Sequence, residues 1–445
     1  MLLPTPPGGP VSPAQPAVPE PTGRFSRRQV LAWSALAAAV PFGAALRPAP
    51  AGAESADDAY ARAFAELVAN HPAVRRHLTA GREFLYRPRQ LLVAPADTAR
   101  VLAKLRSYGY VVNEGNGFGG VRRLVFAYET DIPGVVTRLR DPHQWYGQPV
   151  PLVQPHHVAV GFGNIMGNPG GPPRVATALA PPDPARVGEG AGVTVGICDT
   201  GIWRSAGGFH PQWLGGYYAP QTDDEDPLYT GADLLALQGG HGTFVAGVVR
   251  QAAPGVRFDP EQALDASGIG DEEMLVGAIG RLSAGTAVVN LSLGYFTQDD
   301  QPPLPMVNLL AGLPQQVAVV AAAGNAGTSR PSWPAALDRV VGVAALSPGS
   351  PGPVAAPYSS RGGWVDACAI GDRTSTYVPG QLVLAGQPTR VFSGFAAWAG
   401  TSFAAAHVSG RLAALMTATG VDADTARLAL LAGTAWHPDF GVLVG

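Results

Sequence analysis

Continuous apolar runs of strand length recur along the second half of the chain, separated by segments with apolar residues at helical spacing. A strand that is apolar along its whole length is buried on both faces, which is typical of a parallel sheet covered by helices. The pattern therefore predicts an α/β domain with a doubly wound, mostly parallel sheet. The clearest strands are 193–198, 287–291, 316–323 and 340–345, and the clearest helices are 241–250 and 272–283. The segment 258–264 has a proline and few β-formers, so a strand there is uncertain.

The first half of the chain has a different pattern. Residues 60–78 have helical spacing and predict one or two short helices. After them the order is strand, helix, two strands, helix, strand, which predicts a small ferredoxin-like α+β domain of about 70 residues. The predicted elements are strands at 90–93, 110–112, 121–128 and 150–158, and helices at 97–108 and 132–139.

These patterns divide the chain into five parts. Residues 1–53 form a leader and signal segment, 54–88 a helical connector, and 89–158 the ferredoxin-like domain. Residues 159–190 are rich in Gly and Pro and read as an exposed linker. Residues 191–445 form the α/β domain.

The leader has features of an export signal. Arg27 and Arg28 precede an apolar stretch at 30–40, and Ala51-Gly52-Ala53 offers a small-residue cleavage site, which together resemble a twin-arginine signal. The alternative is a short membrane anchor, but the stretch falls short of the about 20 residues that a spanning helix needs. We therefore expect a secreted or cell-envelope protein with no stable membrane span.

The amino-acid composition excludes some classes of function. The chain is 46% hydrophobic and 14% charged with a formal net charge of -3, so it is globular and lacks the basic field of a nucleic-acid-binding protein. Lys104 is the single lysine. The two cysteines, Cys198 and Cys368, allow at most one disulfide, and two buried free thiols are the favoured interpretation. No Cys/His spacing suggests zinc.

Three separate stretches carry candidate chemistry. Asp199 follows a buried strand, His241 follows a pair of glycines at the start of a helix, and Ser402 opens an Ala-rich helix after Gly400-Thr401. A serine at a helix start can be an ordinary capping residue. It can also be a nucleophile, because the helix start supplies unpaired N–H groups and a positive dipole that favour a developing oxyanion. Asp, His and Ser stand here in the chain order of the subtilisin triad.

The chain resembles the subtilisin-like serine peptidases (subtilases) at these stretches and at others. Ser292-Leu293-Gly294 resembles the substrate-binding edge of the family. Ala322 and Gly324 are further substrate-binding candidates, and they lie in a segment that resembles the one carrying the oxyanion-hole asparagine of the family, here Asn325. The resemblance implies a serine-type endopeptidase in which Asp199, His241 and Ser402 form the triad. It also implies a polypeptide substrate that lies beside residues 292–294 as an added strand.

Position makes the ferredoxin-like domain look like the inhibitory propeptide of the family, which would make the chain a zymogen with its own N-terminal domain as intramolecular inhibitor. The alternative is a permanent accessory domain. Two other functions stay open: a pathway-specific processing peptidase or transpeptidase on the same fold, and a catalytically silent binding homologue.

No cofactor is required by this chemistry. A structural calcium ion is possible at Asp223-Asp224-Glu225-Asp226, since clustered carboxylates bind hard cations. A solvated acidic loop is the favoured interpretation.

Other features receive structural interpretations. His407, on the Ser402 helix, is expected to pack against the sheet, and His156, His157 and His210 are expected at the surface. Ala406 replaces a proline that the family usually has. Residues 372–398 are longer than a compact subtilase needs, so this insertion is expected to flank the cleft.

Overall fold

The computed structural model describes residues 54–161, 171–219 and 225–445. The predicted leader and signal segment lies outside the described residues, as do residues 162–170 of the predicted linker and residues 220–224.

The N-terminal part consists of one helix followed by a small α+β subdomain, residues 75–157, which we call the N-terminal subdomain. Its elements are α1 (Ala56–Asn70), β1 (Arg75–His77), β2 (Phe84–Val93), α2 (Thr98–Ser107), β3 (Val112–Glu114), β4 (Arg122–Phe126), α3 (Ile132–Arg140) and β5 (Val153–His157). Single 3-10 turns occur at Pro95–Asp97 and Pro142–Trp145.

The N-terminal subdomain has the predicted βαββαβ order with one added strand. All its strand pairs are antiparallel, in the order β1-β2-β4-β3 with β5 also paired to β2. Apolar residues of α2 and α3, among them Val101, Leu105 and Val136, pack on one face of the sheet. The added strand β1 lies where helical spacing had been predicted. The connector predicted over 54–88 is therefore helical only up to Asn70, and β2 begins within it at Phe84.

The second part, residues 191–445, is the α/β subdomain. A short strand β6 (Arg174–Val175) and a 3-10 turn at Pro184–Arg186 precede it. Its helices are α4 (Ala206–Phe209), α5 (His241–Ala252), α6 (Glu272–Arg281), α7 (Leu304–Gly312), α8 (Thr401–Thr419) and α9 (Ala423–Leu431), with a 3-10 turn at Gln298–Asp300. Its strands are β7 (Thr194–Asp199), β8 (Tyr229–Gly231), β9 (Leu234–Leu235), β10 (Arg257–Gln262), β11 (Thr286–Leu291), β12 (Ala318–Ala322), β13 (Val340–Ser347), β14 (Val354–Ala355), β15 (Ala367–Ile370), β16 (Asp372–Leu382), β17 (Arg390–Ala399), β18 (Trp436–His437) and β19 (Gly441–Leu443).

The main sheet follows the predicted doubly wound plan. Its order is β10-β7-β11-β12-β13-β15-β19-β18, and the pairs from β10 to β19 are parallel. In β12, Val320 and Ala322 belong to the core with α5 and α8, whereas Val319 and Ala321 belong to the core with α6 and α7. The strand is apolar throughout because both faces are covered.

The uncertain strand is present. Residues Arg257–Gln262 form β10, which pairs in parallel with β7 at the edge of the sheet. Pro260 has no N–H to donate, and an edge strand tolerates this because only one side of it pairs within the sheet.

A second sheet, β6-β17-β16-β9-β8, lies beside the main one. The hairpin of β16 and β17 makes up the predicted insertion 372–398, and β17 ends at Ala399, immediately before the start of α8.

The N-terminal subdomain contacts the start of α6 through charged groups. Arg87 pairs with Asp271 at 2.7 Å, and Arg123 pairs with Glu273. Glu272 is fully buried and accepts hydrogen bonds from Gln154 Nε2 at 2.8 Å and from the N–H of His157 at 2.9 Å.

This interface corrects one prediction. His156 and His157 are buried and not at the surface, because β5 lies against α6; His210 is buried as well, and its ring bonds the carbonyl oxygen of Tyr377 at 2.8 Å. The prediction was wrong because the prolines next to these histidines indicated loops. A proline in the sequence does not show whether another part of the chain covers its neighbours.

Both cysteines are buried free thiols. Burial raises the pKa of Cys368 to about 12 and raises that of Cys198 well above its usual range. His407 is buried on α8, where burial, together with nearby Arg373, lowers its pKa to about 3. Within the part of the chain that the structure describes, no helix has the length and apolar character needed to cross a membrane.

Candidate active site

Asp199 is the last residue of β7, at the carboxyl edge of the main sheet. Its side chain is fully buried, and Oδ1 accepts a hydrogen bond from the N–H of Thr200 at 2.7 Å. The same oxygen lies 2.7 Å from His241 Nδ1. Asp199 can therefore fix the orientation of the imidazole and favour the tautomer that carries its proton on Nδ1.

His241 is the first residue of α5. The preceding Gly240 has a left-handed backbone with φ 84°, and a Cβ atom at Gly242 would collide with the carbonyl oxygen of Gly201. Glycines on both sides of His241 thus allow the helix start to approach the loop after β7. The imidazole also packs edge-on against Trp398 with ring centroids 5.2 Å apart.

Ser402 lies in the first turn of α8, as predicted for a serine that opens a helix. Its Oγ donates to the carbonyl oxygen of Ser292 at 3.3 Å, and Ser292 Oγ donates to the carbonyl oxygen of Ser402 at 3.0 Å. These reciprocal bonds hold the start of α8 beside the segment that follows β11. The helix dipole favours negative charge at this position.

Asn325 follows β12, after Ala322 and Gly324. Its Oδ1 accepts hydrogen bonds from the N–H of Thr401 at 3.0 Å and from Thr401 Oγ1 at 2.9 Å, and the N–H of Gly324 donates to Thr401 Oγ1 at 3.1 Å. Because the amide oxygen of Asn325 accepts both hydrogen bonds from Thr401, the orientation of the Asn325 side chain is fixed. Its NH2 group is therefore the part that can serve as a donor.

The segment Ser292-Leu293-Gly294 is one side of a strand-binding groove. Val160 and Gly294 exchange two main-chain hydrogen bonds, of 3.0 and 3.1 Å. The side chain of Leu293 is buried in the core with α6 and α7, so this edge presents main chain to the groove.

The other side of the groove is the loop 268–270. Ala159 exchanges two main-chain bonds with Gly270, and the N–H of Gly161 donates to the carbonyl oxygen of Gly268 at 2.8 Å. Residues 158–161, which we call the tail, therefore form the middle strand between two segments of the α/β subdomain.

One pocket is lined by the candidate base His241, the candidate nucleophile Ser402 and the candidate oxyanion donor Asn325. Its other lining residues are Tyr60, Gly161, Gly171, Gln238, Trp398, Ala399, Gly400 and Phe403. The structure thus brings these three predicted residues together, with Asp199 bonded to His241 behind them, and adds residues that sequence reasoning missed. The sequence gives little indication that these residues line the pocket. For Tyr60 the only signal is its helical spacing, and for Trp398 it is its position four residues before Ser402.

Asp226 is a further missed residue. Its buried carboxylate accepts hydrogen bonds from Thr200 Oγ1 at 2.6 Å, from the N–H of Gly240 at 2.8 Å and from the N–H of Leu228 at 3.0 Å. It was predicted as part of an acidic loop, and instead it connects the residue after Asp199 to the residue before His241.

Metal binding stays a prediction. Among the described residues there is no group of three or more His, Cys, Asp and Glu side chains placed to hold a metal ion. Asp223 and Asp224 of the candidate calcium loop lie outside the described residues.

Comparison with protein-family models matches residues 190–434, more than half of the chain, to the subtilase family. The chain is a member of the subtilase family. The match covers all the predicted site residues and excludes the N-terminal subdomain.

Curated relatives agree with this subtilase assignment. Thermitase of Thermoactinomyces vulgaris is 28% identical over 55% of this chain and 81% of its own length. A thermophilic serine proteinase of Bacillus sp. (strain AK1) is 31% identical over 52% of this chain and 53% of its own length. This subtilase is accordingly a serine-type endopeptidase that acts on polypeptides.

A solved structure extends the likeness beyond the α/β subdomain. Fervidolysin from Fervidobacterium pennivorans, described as a keratinolytic enzyme related to subtilisin, superposes with a TM-score of 0.56. The alignment covers 85% of this chain and 64% of fervidolysin at 20% identity, and it confirms the predicted subtilisin-like fold.

Proposed function

We propose that this subtilase is an exported endopeptidase in which Asp199, His241 and Ser402 are the catalytic triad, and that it cleaves its own chain after the N-terminal subdomain. The observation that carries the proposal is the position of the tail. Residues 158–161 pair as a strand with Gly294 and Gly270, on the groove that ends beside Ser402. A polypeptide substrate would use the same main-chain groups.

In the proposed reaction His241 takes the proton of Ser402 Oγ while that oxygen attacks the substrate carbonyl carbon. The imidazolium is stabilised by Asp199, whose Oδ1 lies 2.7 Å from Nδ1. His241 then gives the proton to the leaving amine, which leaves an acyl-enzyme on Ser402. Water, deprotonated by the same histidine, releases the acid and restores the serine.

Asn325 and the main-chain N–H of Ser402 are proposed to bind the oxyanion of the tetrahedral intermediate. Thr401 holds the amide oxygen of Asn325 with two hydrogen bonds, so the amide NH2 is pre-oriented as a donor. Donors that are fixed before the reaction stabilise the developing charge without reorganisation.

The N-terminal subdomain is proposed to act as an intramolecular inhibitor. Its tail is buried in the groove, and Glu272 at the start of α6 accepts two hydrogen bonds from Gln154 and His157. After cleavage the tail would remain as a product-like strand on the residues that substrate needs. Export rests on Arg27, Arg28 and the Ala51-Gly52-Ala53 site, which lie outside the described residues.

Replacement of Ser402 by Ala tests both parts of the proposal. We expect the variant to fold, to lose about six orders of magnitude in turnover, by the scale known for a relative, and to keep its chain intact after signal removal. Peptide hydrolysis, labelling by a fluorophosphonate probe and N-terminal sequencing measure these effects. Ser107→Ala, on the exposed end of α2, is the matched control and should behave as wild type.

The outcomes separate the alternatives. Appreciable hydrolysis by folded Ser402→Ala would refute the triad, and absence of probe labelling in wild type would indicate a silent homologue. An active wild-type enzyme that still begins near Glu54 would show that the N-terminal subdomain is a permanent accessory domain. Transfer of the acyl group to an added amine in preference to water would indicate a transpeptidase.

A further inference from the structure

A series of buried hydrogen bonds connects the middle of α8 to its first turn by way of β11. Ser409 Oγ donates to Asn290 Oδ1 at 3.0 Å, and Asn290 Nδ2 donates to Ser292 Oγ at 2.9 Å. Ser292 Oγ in turn donates to the carbonyl oxygen of Ser402 at 3.0 Å. Ser409, Asn290 and Ser292 are fully buried. The series therefore begins on α8 and ends on the main chain of the candidate nucleophile.

The periodicities of a helix and a strand bring these groups together. Ser402 and Ser409 are seven residues apart, which is about two turns of α8, so they lie on the same face of the helix. Asn290 is in β11 and Ser292 follows two residues later, so their side chains point to the same face of the sheet. The hydrogen bonds join these two faces.

The direction of each bond follows from the end of the series at Ser402. A carbonyl oxygen can only accept, so Ser292 uses its one hydroxyl hydrogen there and must accept from Asn290. The amide oxygen of Asn290 consequently faces Ser409. Ser409 Oγ also lies 2.9 Å from the carbonyl oxygen of Ala405, but among the described residues it is the one donor to Asn290 Oδ1, and a buried acceptor without a donor is costly. All three bonds then point the same way and strengthen one another.

The last bond of the series can persist while Ser402 reacts. Ser402 Oγ donates to the carbonyl oxygen of Ser292 at 3.3 Å, and this bond has to break when the proton of that oxygen passes to His241. The bond from Ser292 Oγ to the carbonyl oxygen of Ser402 involves no reacting atom. Because a displacement of about 1 Å can slow a reaction about a hundredfold, this bond can hold Ser402 in place during the attack.

Ala406 makes this attachment more important. In an α-helix the N–H of residue 406 donates to the carbonyl oxygen of residue 402 and draws it towards the helix. A proline at 406, which the family usually has, would remove that N–H, and its ring would push the carbonyl outwards. Ala406 exerts no such push, so the hydrogen bonds have to direct the carbonyl of Ser402 towards Ser292.

We propose that Asn290 and Ser409 are positioning residues for the catalytic serine, and that they act through Ser292 to fix the main chain of Ser402. The inference rests on the proposed function, because it takes Ser402 as the nucleophile. Neither Asn290 nor Ser409 lines the pocket that contains His241 and Ser402. Loss of either side chain should therefore slow the chemical step and leave substrate binding unchanged.

Replacement of Ser409 by Ala tests the first bond of the series. It leaves Asn290 Oδ1 without its donor, and we expect kcat to fall about tenfold with KM unchanged, because Ser402 shifts by a fraction of an ångström. The rate is measured on self-processed enzyme and expressed per active site titrated with a fluorophosphonate, so that a loss of folded protein does not lower it. Thr417→Ala is the matched control on the same helix, because Thr417 Oγ1 donates at 3.1 Å to the carbonyl oxygen four residues earlier. Its kcat should equal that of wild type.

Two double variants test how the effect reaches Ser402. Ser292→Ala breaks the last bond, and Ser409→Ala/Ser292→Ala should be no slower than the slower single variant, because both changes interrupt the same series. Ala406→Pro restores the steric push on the carbonyl of Ser402. In that background Ser409→Ala should lower kcat by less than about twofold.

The results decide the inference separately from the proposed function. A wild-type kcat per titrated site in Ser409→Ala would overturn the inference, and so would losses in Ser409→Ala and Ser292→Ala that multiply in the double variant. A raised KM with unchanged kcat would also overturn it, because the series would then shape the substrate groove. If Ala406→Pro does not fold, the pair of Ser409 and Ser292 variants decides alone. Absence of fluorophosphonate labelling in wild type would refute the proposed function itself.

Discussion

Asp226 holds the backbone next to Asp199 and the backbone next to His241 in a fixed relative position. Its carboxylate accepts from Thr200, next to Asp199, and from Gly240, next to His241. Burial raises the pKa of Asp226 to about 7, and the charge of Asp199 adds to this effect, although the three hydrogen bonds oppose it. The ionised form that accepts all three donors is therefore maintained at a cost in folding free energy.

The first prediction concerns the pH dependence of that cost. Since the folded pKa lies above the ordinary value, the favourable contribution of Asp226 is complete below about pH 4 and is lost as the pH rises to about 7. Asp226→Asn cannot ionise. The free energy of unfolding of Asp226→Asn, relative to that of the parent protein, should therefore increase by up to about 4 kcal/mol between pH 4 and pH 8.

Urea unfolding at several pH values, in a Ser402→Ala background that prevents autolysis, measures this difference. Asp233→Asn, at an exposed position, is the control. A difference between Asp226→Asn and the parent that does not vary with pH would show that Asp226 has no raised pKa.

Asn325 gives a prediction about the reaction rate. Asn325→Ala removes the proposed oxyanion donor and should lower kcat by about 10²- to 10³-fold, with a small effect on KM, because the contact forms mainly in the transition state. Asn308→Ala removes an amide that binds the N-terminal subdomain at Gly119 and is the matched control. Steady-state kinetics on a coumarin peptide tests the prediction, and a change in KM alone would contradict it.

At the residue scale the sequence was informative where chemistry needs a particular side chain in a particular local setting. Asp199 at a strand end, His241 between glycines and Ser402 at a helix start could all be placed from local pattern. Asp226 and Trp398 could not, because their roles come from partners at Thr200, Gly240 and Gly171 that no local pattern indicates.

At the scale of elements, α1 lies over the tail. Tyr60, Phe64 and Val68 repeat every four residues and form one buried face. Phe64 and Val68 pack in one cluster with Val158 and Val160 of the tail, while Tyr60 Oη donates to the carbonyl oxygen of Leu237 at 2.8 Å. The tail is thus held by strand pairing at its edges and by a helix across it.

Helix α1 should therefore slow the release of the tail after cleavage. Phe64→Ala removes a large buried side chain, a change that costs about 3 to 5 kcal/mol in a core and less where neighbours can relax. We expect the N-terminal fragment to leave faster, so that peptidase activity appears earlier after processing. Glu66→Ala, on the exposed face of α1, should not change the time course.

Size-exclusion chromatography and activity measured in parallel over time would detect the effect. If Phe64→Ala and wild type gain activity at the same rate, α1 does not control release.

The elements differ in how well the sequence predicted them. Helices α2, α3, α5 and α6 and the buried strands followed from their periodicity, because one face or both faces pack within their own subdomain. The prediction of a helix over the residues of β1 was wrong, because pairing with β2, and not local propensity, fixes the conformation of these three residues. Strand β10 was uncertain because Pro260 obscures a strand whose position depends on β7.

At the scale of the whole molecule, the two subdomains meet through paired charges. Arg330 of the α/β subdomain lies 3.5 Å from Glu83 and bonds the carbonyl oxygen of Glu83 at 2.9 Å, and Arg87 pairs with Asp271. Interfaces of this polar kind separate more readily than apolar ones, which suits the proposal that the N-terminal subdomain leaves after cleavage. The sequence could predict both folds but not this contact, because each half of every pair lies in a different subdomain.

Export is the last prediction at this scale. If Arg27 and Arg28 are read as a twin-arginine signal, replacing both with Lys should retain the precursor in the cytoplasm, since recognition depends on the arginine pair and not on charge alone. Cell fractionation with immunoblotting measures the result, and Arg24→Lys, outside the pair, is the control. Undiminished export of the Lys-Lys variant would indicate a general secretory route.

Lys104 has a practical consequence for following these steps. It is the single lysine of the chain, and it lies on α2 of the N-terminal subdomain, where Nζ donates to the carbonyl oxygen of Gln144 at 2.7 Å. An amine-reactive dye can therefore modify one side chain only, and that side chain belongs to the piece that is proposed to be removed. Once the chain is cut between the subdomains, the α/β piece retains no amine except its new terminus. Dye on Lys104 would then report where the N-terminal piece goes without any engineered tag.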